Sequence, residues 1–267
     1  MVRTDSPASN PGSTARVRPA VVWHDLECGL YSADLELWRE LADANAAGDE
    51  PILEIGAGTG RVSLDLARRG HTVTAVERDP VLAAALGERA NGLTVAVVGA
   101  DARAFKLPRR DFALCLVPMQ TVQLMGGPSG RLAFLRAVRA HLRDGGVLAC
   151  ALVEEIDQFD VATEQLQLEP ELARRGGTLY SSCPVRVSVG ERRIRIELER
   201  RIEPIAEPVG ADVGSAEPPR REVIELDRLT AERLQREARR VGLRPLEVRS
   251  VSPTDLHTAS TVVILGA

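Results

Sequence analysis

Ile52-Leu53-Glu54-Ile55-Gly56-Ala57-Gly58-Thr59-Gly60-Arg61 is the stretch that decides the fold. A short apolar run passes through three glycines at alternate positions into a segment of helical spacing, Arg61 to Arg69, which Gly70 terminates. A strand that turns through glycines into a helix opens a parallel α/β sheet. There the turn lies at the carboxyl edge, and backbone N–H groups at the helix N-terminus face a ligand. Glycine lets the backbone approach that ligand with no Cβ in the way. The dinucleotide fingerprint Gly-x-Gly-x-x-Gly is not met: the third glycine comes two residues after the second, and Arg61 stands where that pattern needs glycine. The spacing counts against NAD.

Outward from this turn the same grammar repeats. Apolar runs at Thr72 to Val76, Thr94 to Val98, Phe112 to Val117 and Val147 to Val153 alternate with helix-period segments. Asp79-Pro80 reads as an N-cap followed by proline at the first helical position, and Ser129 reads as the cap of a helix carrying Leu132, Leu135, Val138 and Leu142. Upstream, Leu26, Leu30, Ala33, Leu37 and Leu41 predict one helix over residues 22–47. Strands alternating with helices require crossovers and a parallel sheet. After residue 154 the period changes to two. Val185, Val187 and Val189, then Ile194, Ile196 and Leu198, predict an antiparallel hairpin around Gly190-Glu191. A Pro/Gly-rich loop spans 203–219, a strand lies near Glu222 to Leu226, and Thr230 caps a helix ending at Gly242. Leu246 to Val251 and Thr261 to Leu265 are the last strands.

The 267 residues, 44% hydrophobic and with a net charge of -4, suffice for a substantial core, and the mixed charge gives no electrostatic reason for a nucleic-acid partner. Lys106 is the only lysine. Cys28, Cys115, Cys150 and Cys183 form no CxxC pair, so no metal site or dithiol motif is legible, and Cys115 and Cys150 read as buried small hydrophobes. No run is long and apolar enough for a membrane span, and no signal-peptide core is seen. The expectation is a soluble cytoplasmic protein with a small-molecule partner, monomeric or homodimeric.

Glu77, at the end of the second strand, is placed to accept both hydroxyls of a ribose. With that residue the chain resembles the class I S-adenosylmethionine-dependent methyltransferases over roughly residues 50–155 and the terminal strands. Glu54 to Gly60 is similar to that family's first motif, Val76-Glu77-Arg78 to its second, Gly99-Ala100-Asp101-Ala102 to its third and Phe112 to Met119 to its fourth. The resemblance implies a doubly wound, mostly parallel seven-stranded Rossmann-like sheet with a reversed last strand beside the fifth and an inserted antiparallel hairpin or lid. It implies S-adenosylmethionine as cofactor and S-adenosylhomocysteine as product. The cofactor-binding set it suggests is Tyr31, Glu54, Gly56, Ala57, Gly58, Arg61, Glu77, Arg78, Asp101, Ala102, Val117 and Pro118. The Asp101 carboxylate would accept from the adenine amino group, the Ala102 N–H would donate to the ring, and Arg78 would flank it. Tyr31, on a helix across the cofactor mouth, is a candidate to cover the sulfonium, and Arg61 to pair with the cofactor carboxylate. The domains expected are a disordered tail (1–19), a core with its N-terminal cover helix (20–153), an insertion over the acceptor (154–242) and the terminal strands (243–267).

Methyl transfer asks the protein for in-line positioning and, for a protonated nucleophile, a base. Val117-Pro118-Met119-Gln120-Thr121 lacks the Asn/Asp-Pro-Pro-Tyr/Phe signature by which related enzymes hold a planar amine, which argues for a small organic acceptor instead of adenine or a glutamine amide. Gln120 is the candidate to orient the acceptor, the alternative being that Gln120 and Gln123 face solvent. His257, in the connection between the last two strands, is the candidate base, with Asp255 to orient it; the alternative is a solvated loop histidine. His24, His71 and His141 carry no catalytic expectation, and His141 is expected to favour a helix C-terminus. Two other readings stay open: a noncatalytic binder of the same cofactor, and aminopropyl transfer, against which the fourth strand shows no acidic cluster at its edge.

Overall fold

The computed structural model describes residues 17–48, 50–154, 159–162, 169–205, 217–254 and 257–267. The expected single N-terminal helix is two. Helix α1 (Pro19–His24) runs into a π-helical turn over Asp25–Gly29, and α2 (Leu35–Asn45) starts only after a break at residues 30–34. The break has a physical reason: the Arg61 guanidinium donates to the Tyr31 carbonyl and pairs with the Asp34 side chain. Asp34 therefore precedes α2 without capping it.

The larger of two compact units comprises residues 31–157, 191–193 and 226–267. Its strands are β1 (Ile52–Ile55), β2 (Val73–Glu77), β3 (Val95–Gly99), β4 (Phe112–Val117) and β5 (Leu142–Leu152), joined by α3 (Arg61–Arg68), α4 (Pro80–Arg89) and α5 (Gly127–Arg139). The chain later returns through α6 (Ala231–Arg239) to the two terminal strands, Arg244–Val251 and Ser260–Gly266. The seven strands lie in the order terminal pair, β5, β4, β1, β2, β3. The strands β1 to β5 pair in parallel, and Ser260–Gly266 runs antiparallel between β5 and Arg244–Val251. The reversed strand beside the fifth, implied by the resemblance, is thus present.

Both faces of the sheet are covered. Leu53, Ile55, Cys115 and Cys150 pack with Phe134 and Leu135 of α5 and with Leu234 and Ala238 of α6. Ile52, Leu114 and Leu116 on the other face pack with Trp38 of α2 and with Val62 and Leu66 of α3. Because α6 fills this core, it belongs to the sheet unit and not to the insertion expected over 154–242. Asp79 caps α4 as read, its carboxylate accepting from the Val81 and Leu82 N–H groups. Ser129 does not cap α5. That helix starts earlier, at Gly127, because Gly126 adopts φ 78° and Asp227 accepts from the Gly127 N–H at 2.6 Å.

The smaller unit comprises residues 1–30, 158–190 and 194–225. The expected hairpin grows into a five-stranded sheet: β6 (Phe159–Ala162), β7 (Glu171–Arg175), β8 (Thr178–Val189), β9 (Arg193–Pro204) and β10 (Arg220–Asp227). The two terminal strands are accordingly β11 and β12. Helix α1 packs on this sheet, with the Trp23 and Tyr180 rings edge to face at 6.2 Å. Glu27 accepts from Ser182 Oγ at 2.6 Å and from Arg200 Nε and Nη2 at 2.7 Å each. Most of the tail expected over 1–19 and the middle of the loop expected over 203–219 lie outside the described residues.

Candidate active site

Four strand ends build the site at the carboxyl edge. At β1 the chain enters left-handed glycine conformations at Gly56, Gly58 and Gly60, with φ of 72°, 57° and 98°. A Cβ on Gly56 would lie 2.5 Å from Thr121 Cγ2, so the turn accepts no side chain there and lies under the turn that follows β4. Ala57, Gly58, Thr59 and Gly60 are buried; Gly56 is exposed.

Glu77 ends β2 with its carboxylate buried and held by two backbone donors, Gly58 N–H to Oε2 at 2.9 Å and Asp79 N–H to Oε1 at 2.8 Å. Each carboxylate oxygen carries two lone pairs. Both oxygens therefore keep acceptor capacity in a fixed orientation, which fits a vicinal diol. Beneath the turn, Glu54 is fully buried, and its carboxyl is pushed up to about 7 by burial, partly offset by the Ser63 hydroxyl that donates to it and by Arg61.

Past β3, Asp101 accepts from the Arg103 backbone N–H at 2.8 Å and pairs with the Arg103 guanidinium through both oxygens. These bonds hold its carboxyl down at about 2, with exposed Arg78 adding to the field. Arg103 escaped the sequence reading, although its spacing from Asp101 is the signal of a local carboxylate–guanidinium clip.

Tyr31, Arg61 and His257 come together. The Tyr31 and His257 rings are 4.6 Å apart, and the Arg61 guanidinium lies 5.3 Å from the Tyr31 ring centre. The β11–β12 connection that carries His257 lies at the carboxyl edge, since Thr261 pairs with Leu152 at the end of β5. Tyr31 is buried, and burial followed by the Asp34 charge pushes its phenol up, partly offset by the Ser260 side chain and by Arg61. Arg61 is committed to Asp34 by two hydrogen bonds of 2.5 and 2.9 Å, with both side chains buried. Asp34, 20 residues before Glu54 of the first motif, was missed. Thr254 Oγ1 lies 3.4 Å from His257 Nδ1 and accepts from the His257 N–H, while Asp255 lies outside the described residues.

On the β4 side, Val117 and Pro118 are buried and Met119 and Gln120 half-buried. Gln123 does not face solvent: it is buried and fully hydrogen-bonded. His141 serves the C-terminus of α5 as expected: buried just past it, it donates from Nδ1 to the Ala137 carbonyl of the last turn and accepts at Nε2 from the Leu107 N–H, against the Phe105 ring. Among the described residues no three His, Cys, Asp or Glu side chains gather as a metal site, and no helix is long and apolar enough to cross a membrane.

Residues 52–146 match the family model described as a methyltransferase domain. Over those residues the chain is similar to a methyltransferase domain. The residues fit S-adenosylmethionine, the cofactor that the resemblance implies: a turn that accepts no side chain at Gly56, a preset diol acceptor at Glu77 and a buried phenol beside Arg61, the first residue of the helix after the turn. The structure of a sugar N-methyltransferase from a Streptoalloteichus species superposes with a TM-score of 0.70 over 99% of each chain at 17% identity. An amino pentose methyltransferase from Micromonospora echinaspora gives 0.66 at 21% identity, over 91% of this chain and 96% of that one. Both share the fold of this chain. In sequence, the ribosomal RNA small subunit methyltransferase A of Deinococcus radiodurans is 37% identical over 110 residues, 37% of this chain and 38% of that protein. The chain thus spans less than half of that curated relative.

Proposed function

We propose that this chain transfers a methyl group from S-adenosylmethionine to a small organic acceptor, with a sugar amine or hydroxyl as the first class to test. The observation that carries the reading is the Glu77 carboxylate, fixed by the Gly58 and Asp79 N–H groups beside a glycine turn that no side chain enters. The cofactor supplies a methyl activated on a sulfonium, so the hard chemistry comes with it. Glu77 accepts from the ribose, Asp101 from the adenine amino group, and Tyr31 covers the reacting end. His257 accepts the proton of the nucleophile, and Gln120 orients the acceptor's polar group. Supporting a small acceptor are the names of the two structural neighbours, the net charge of -4 and a β4 turn without the planar-amine signature.

Likeness to an RNA methyltransferase favours a second reading, with RNA as acceptor. One experiment separates them. Methyl-labelled cofactor is offered with a panel of amino and neutral sugars, free or as nucleotide derivatives, and in parallel with ribosomal RNA. Label is expected in the sugar panel; label in RNA alone overturns the small-acceptor reading. Calorimetry precedes it: S-adenosylhomocysteine binds and NAD does not. Binding without transfer to any acceptor would mark a noncatalytic cofactor binder, and NAD binding with no response to either sulfur cofactor would sink the whole reading.

A further inference from the structure

Met119 is the one non-glycine residue with left-handed backbone among those described, at φ 54°. An unbranched L side chain in that region carries a steric penalty and persists only where its surroundings over-determine it. The surroundings here are specific. Thr121 Oγ1 donates to the Pro118 carbonyl at 3.0 Å, and the Gln123 N–H donates to the Gln120 carbonyl at 2.8 Å, closing the turn around Met119. The Gln123 side chain is itself fixed on two remote stretches of backbone. Its Nε2 donates to the Val153 carbonyl at 3.1 Å and to the Asp227 carbonyl at 2.9 Å, and its Oε1 accepts from the Val153 N–H at 2.8 Å.

The far anchor is equally held. Asp227 Oδ2 accepts from the Gly127 N–H and from Arg131 Nη1, both at 2.6 Å, and Arg131 also binds Glu237 through two nitrogens. At the other end of the relay, Thr121 packs against Gly56, the first glycine of the cofactor turn. A rigid connection thus runs from Val153 and Asp227 through Gln123 to Thr121 and the glycine turn.

We propose that Gln123 is a positioning residue that holds the strained Pro118–Thr121 turn against the glycine turn, setting the floor on which cofactor and acceptor meet. This rests on the methyltransferase reading. Without the three side-chain bonds of Gln123, the backbone at Met119 relaxes out of the left-handed region, the Thr121 methyl leaves Gly56, and Gln120 leaves its place at the rim. Glycine at position 119 has no such penalty. In a Gln123 variant, Met119→Gly removes the drive to relax, and the turn keeps its shape.

The test compares wild type, Gln123→Leu and the double variant Gln123→Leu/Met119→Gly, all at 20 °C. S-adenosylhomocysteine affinity is read by calorimetry, hydrogen exchange over residues 117–125 by mass spectrometry, and the melting temperature of each. Gln123→Leu is expected to bind at least tenfold more weakly and to exchange faster over that peptide. The double variant is expected to return to within threefold of wild type in affinity and to near wild-type exchange. A purely structural glutamine predicts otherwise: relief of backbone strain at position 119 changes only the melting temperature, and affinity and exchange stay as in Gln123→Leu. Wild-type affinity in Gln123→Leu, or a double variant as weak as the single, overturns the proposal. If Gln123→Leu does not fold, Gln123→Glu, which keeps the acceptor for Val153 and loses both donors, is judged by the same criteria. Should wild type itself fail to bind S-adenosylhomocysteine, the methyltransferase reading falls, and exchange over 117–125 alone decides on Gln123.

Discussion

The two halves of the seven-stranded sheet are held by different kinds of contact. On the cofactor side, the decisive bonds are short in sequence: Glu77 to Gly58, Asp79 to its own helix, Asp101 to Arg103. On the β4–β5 side they join residues about a hundred apart, Gln123 to Asp227 and Arg131 to both Asp227 and Glu237. Each half also contains a buried arginine. Arg61 meets one carboxylate, Asp34, while Arg131, at 1% exposure, meets two. A motif can specify the first half on its own; the second exists only when the chain returns from residue 227. The glycine turn is therefore a local device, and the acceptor-side turn is a product of tertiary closure.

The sharpest way to break this contrast is to remove the two arginines in turn. Arg131→Met leaves buried Asp227 with only the Gly127 N–H and buried Glu237 with only Arg233 at 3.4 Å, and is expected to cost about 3 to 5 kcal/mol, the range for breaking a buried ion pair from one side. Arg61→Met strands only Asp34 and should cost less. Denaturant midpoints with unchanged slopes measure both. Replacing the whole cluster, with Arg131→Met, Asp227→Asn and Glu237→Leu together, should recover more than half of the loss, since the penalty lies in the orphaned charges. A costlier Arg61→Met would mean that closure is not where the stability is concentrated.

Next in size is the buried carboxyl on the cofactor side. Glu54 has its carboxyl raised from 4.5 to about 7 in the folded protein, so the folded state holds a proton that the unfolded state has released. The sign follows: its contribution is fully present below about pH 4.5 and is lost as pH rises towards 7. At 1.36 kcal/mol per unit this amounts to about 3 kcal/mol. Glu54→Gln, which still accepts from Ser63, should flatten the decline of ligand-free stability between pH 5 and 8. Parallel profiles for the two proteins would show that Glu54 is ionised when folded.

Binding provides the third test. Glu77→Ala removes the preset acceptor for the ribose and should weaken S-adenosylhomocysteine by roughly 1.5 to 3 kcal/mol, the range for hydrogen bonds to a charged group. That is about ten- to a hundredfold in affinity. An unchanged affinity in a folded variant would put the ribose elsewhere along the edge.

The contrast between halves also explains what was legible. The glycine turn, the Asp79 cap, the alternation of strands and helices, and the buried Cys115 and Cys150 follow from local pattern and period, and the reversed strand from the resemblance. Four features did not. The break before α2 depends on Arg61 reaching back to Tyr31 and Asp34, while residues 22–47 by themselves have unbroken helical spacing. The start of α5 at Gly127 depends on Asp227, which overrides the local signal at Ser129. Gln123 reads as a surface residue because nothing nearby in sequence can satisfy its amide; its partners arrive from 153 and 227. Placement of α6 in the core failed for the same reason, since its apolar face matches either a lid or a sheet.

The smallest expected effect concerns His257, and it joins the two halves. Its loop sits at the end of the reversed strand, a product of closure, yet its ring lies against Tyr31, which Arg61 ties to the start of the glycine-turn helix. In the proposed mechanism a base in that position would receive the acceptor's proton beside the phenol proposed to cover the reacting end of the cofactor. General-base assistance contributes about 10²- to 10⁴-fold, and an imidazole titrates where such work is most efficient. His257→Ala is expected to leave S-adenosylhomocysteine affinity within threefold of wild type, to lower turnover with the acceptor found in the sugar panel at least tenfold, and to remove the rise of turnover with pH near neutrality. The ring contact with Tyr31 supplies the control. His257→Phe keeps an aromatic partner for the phenol without a proton acceptor, so it should restore packing but not turnover. If His257→Phe turns over like wild type, the loop acts on this site by stacking alone, and positioning accounts for the transfer.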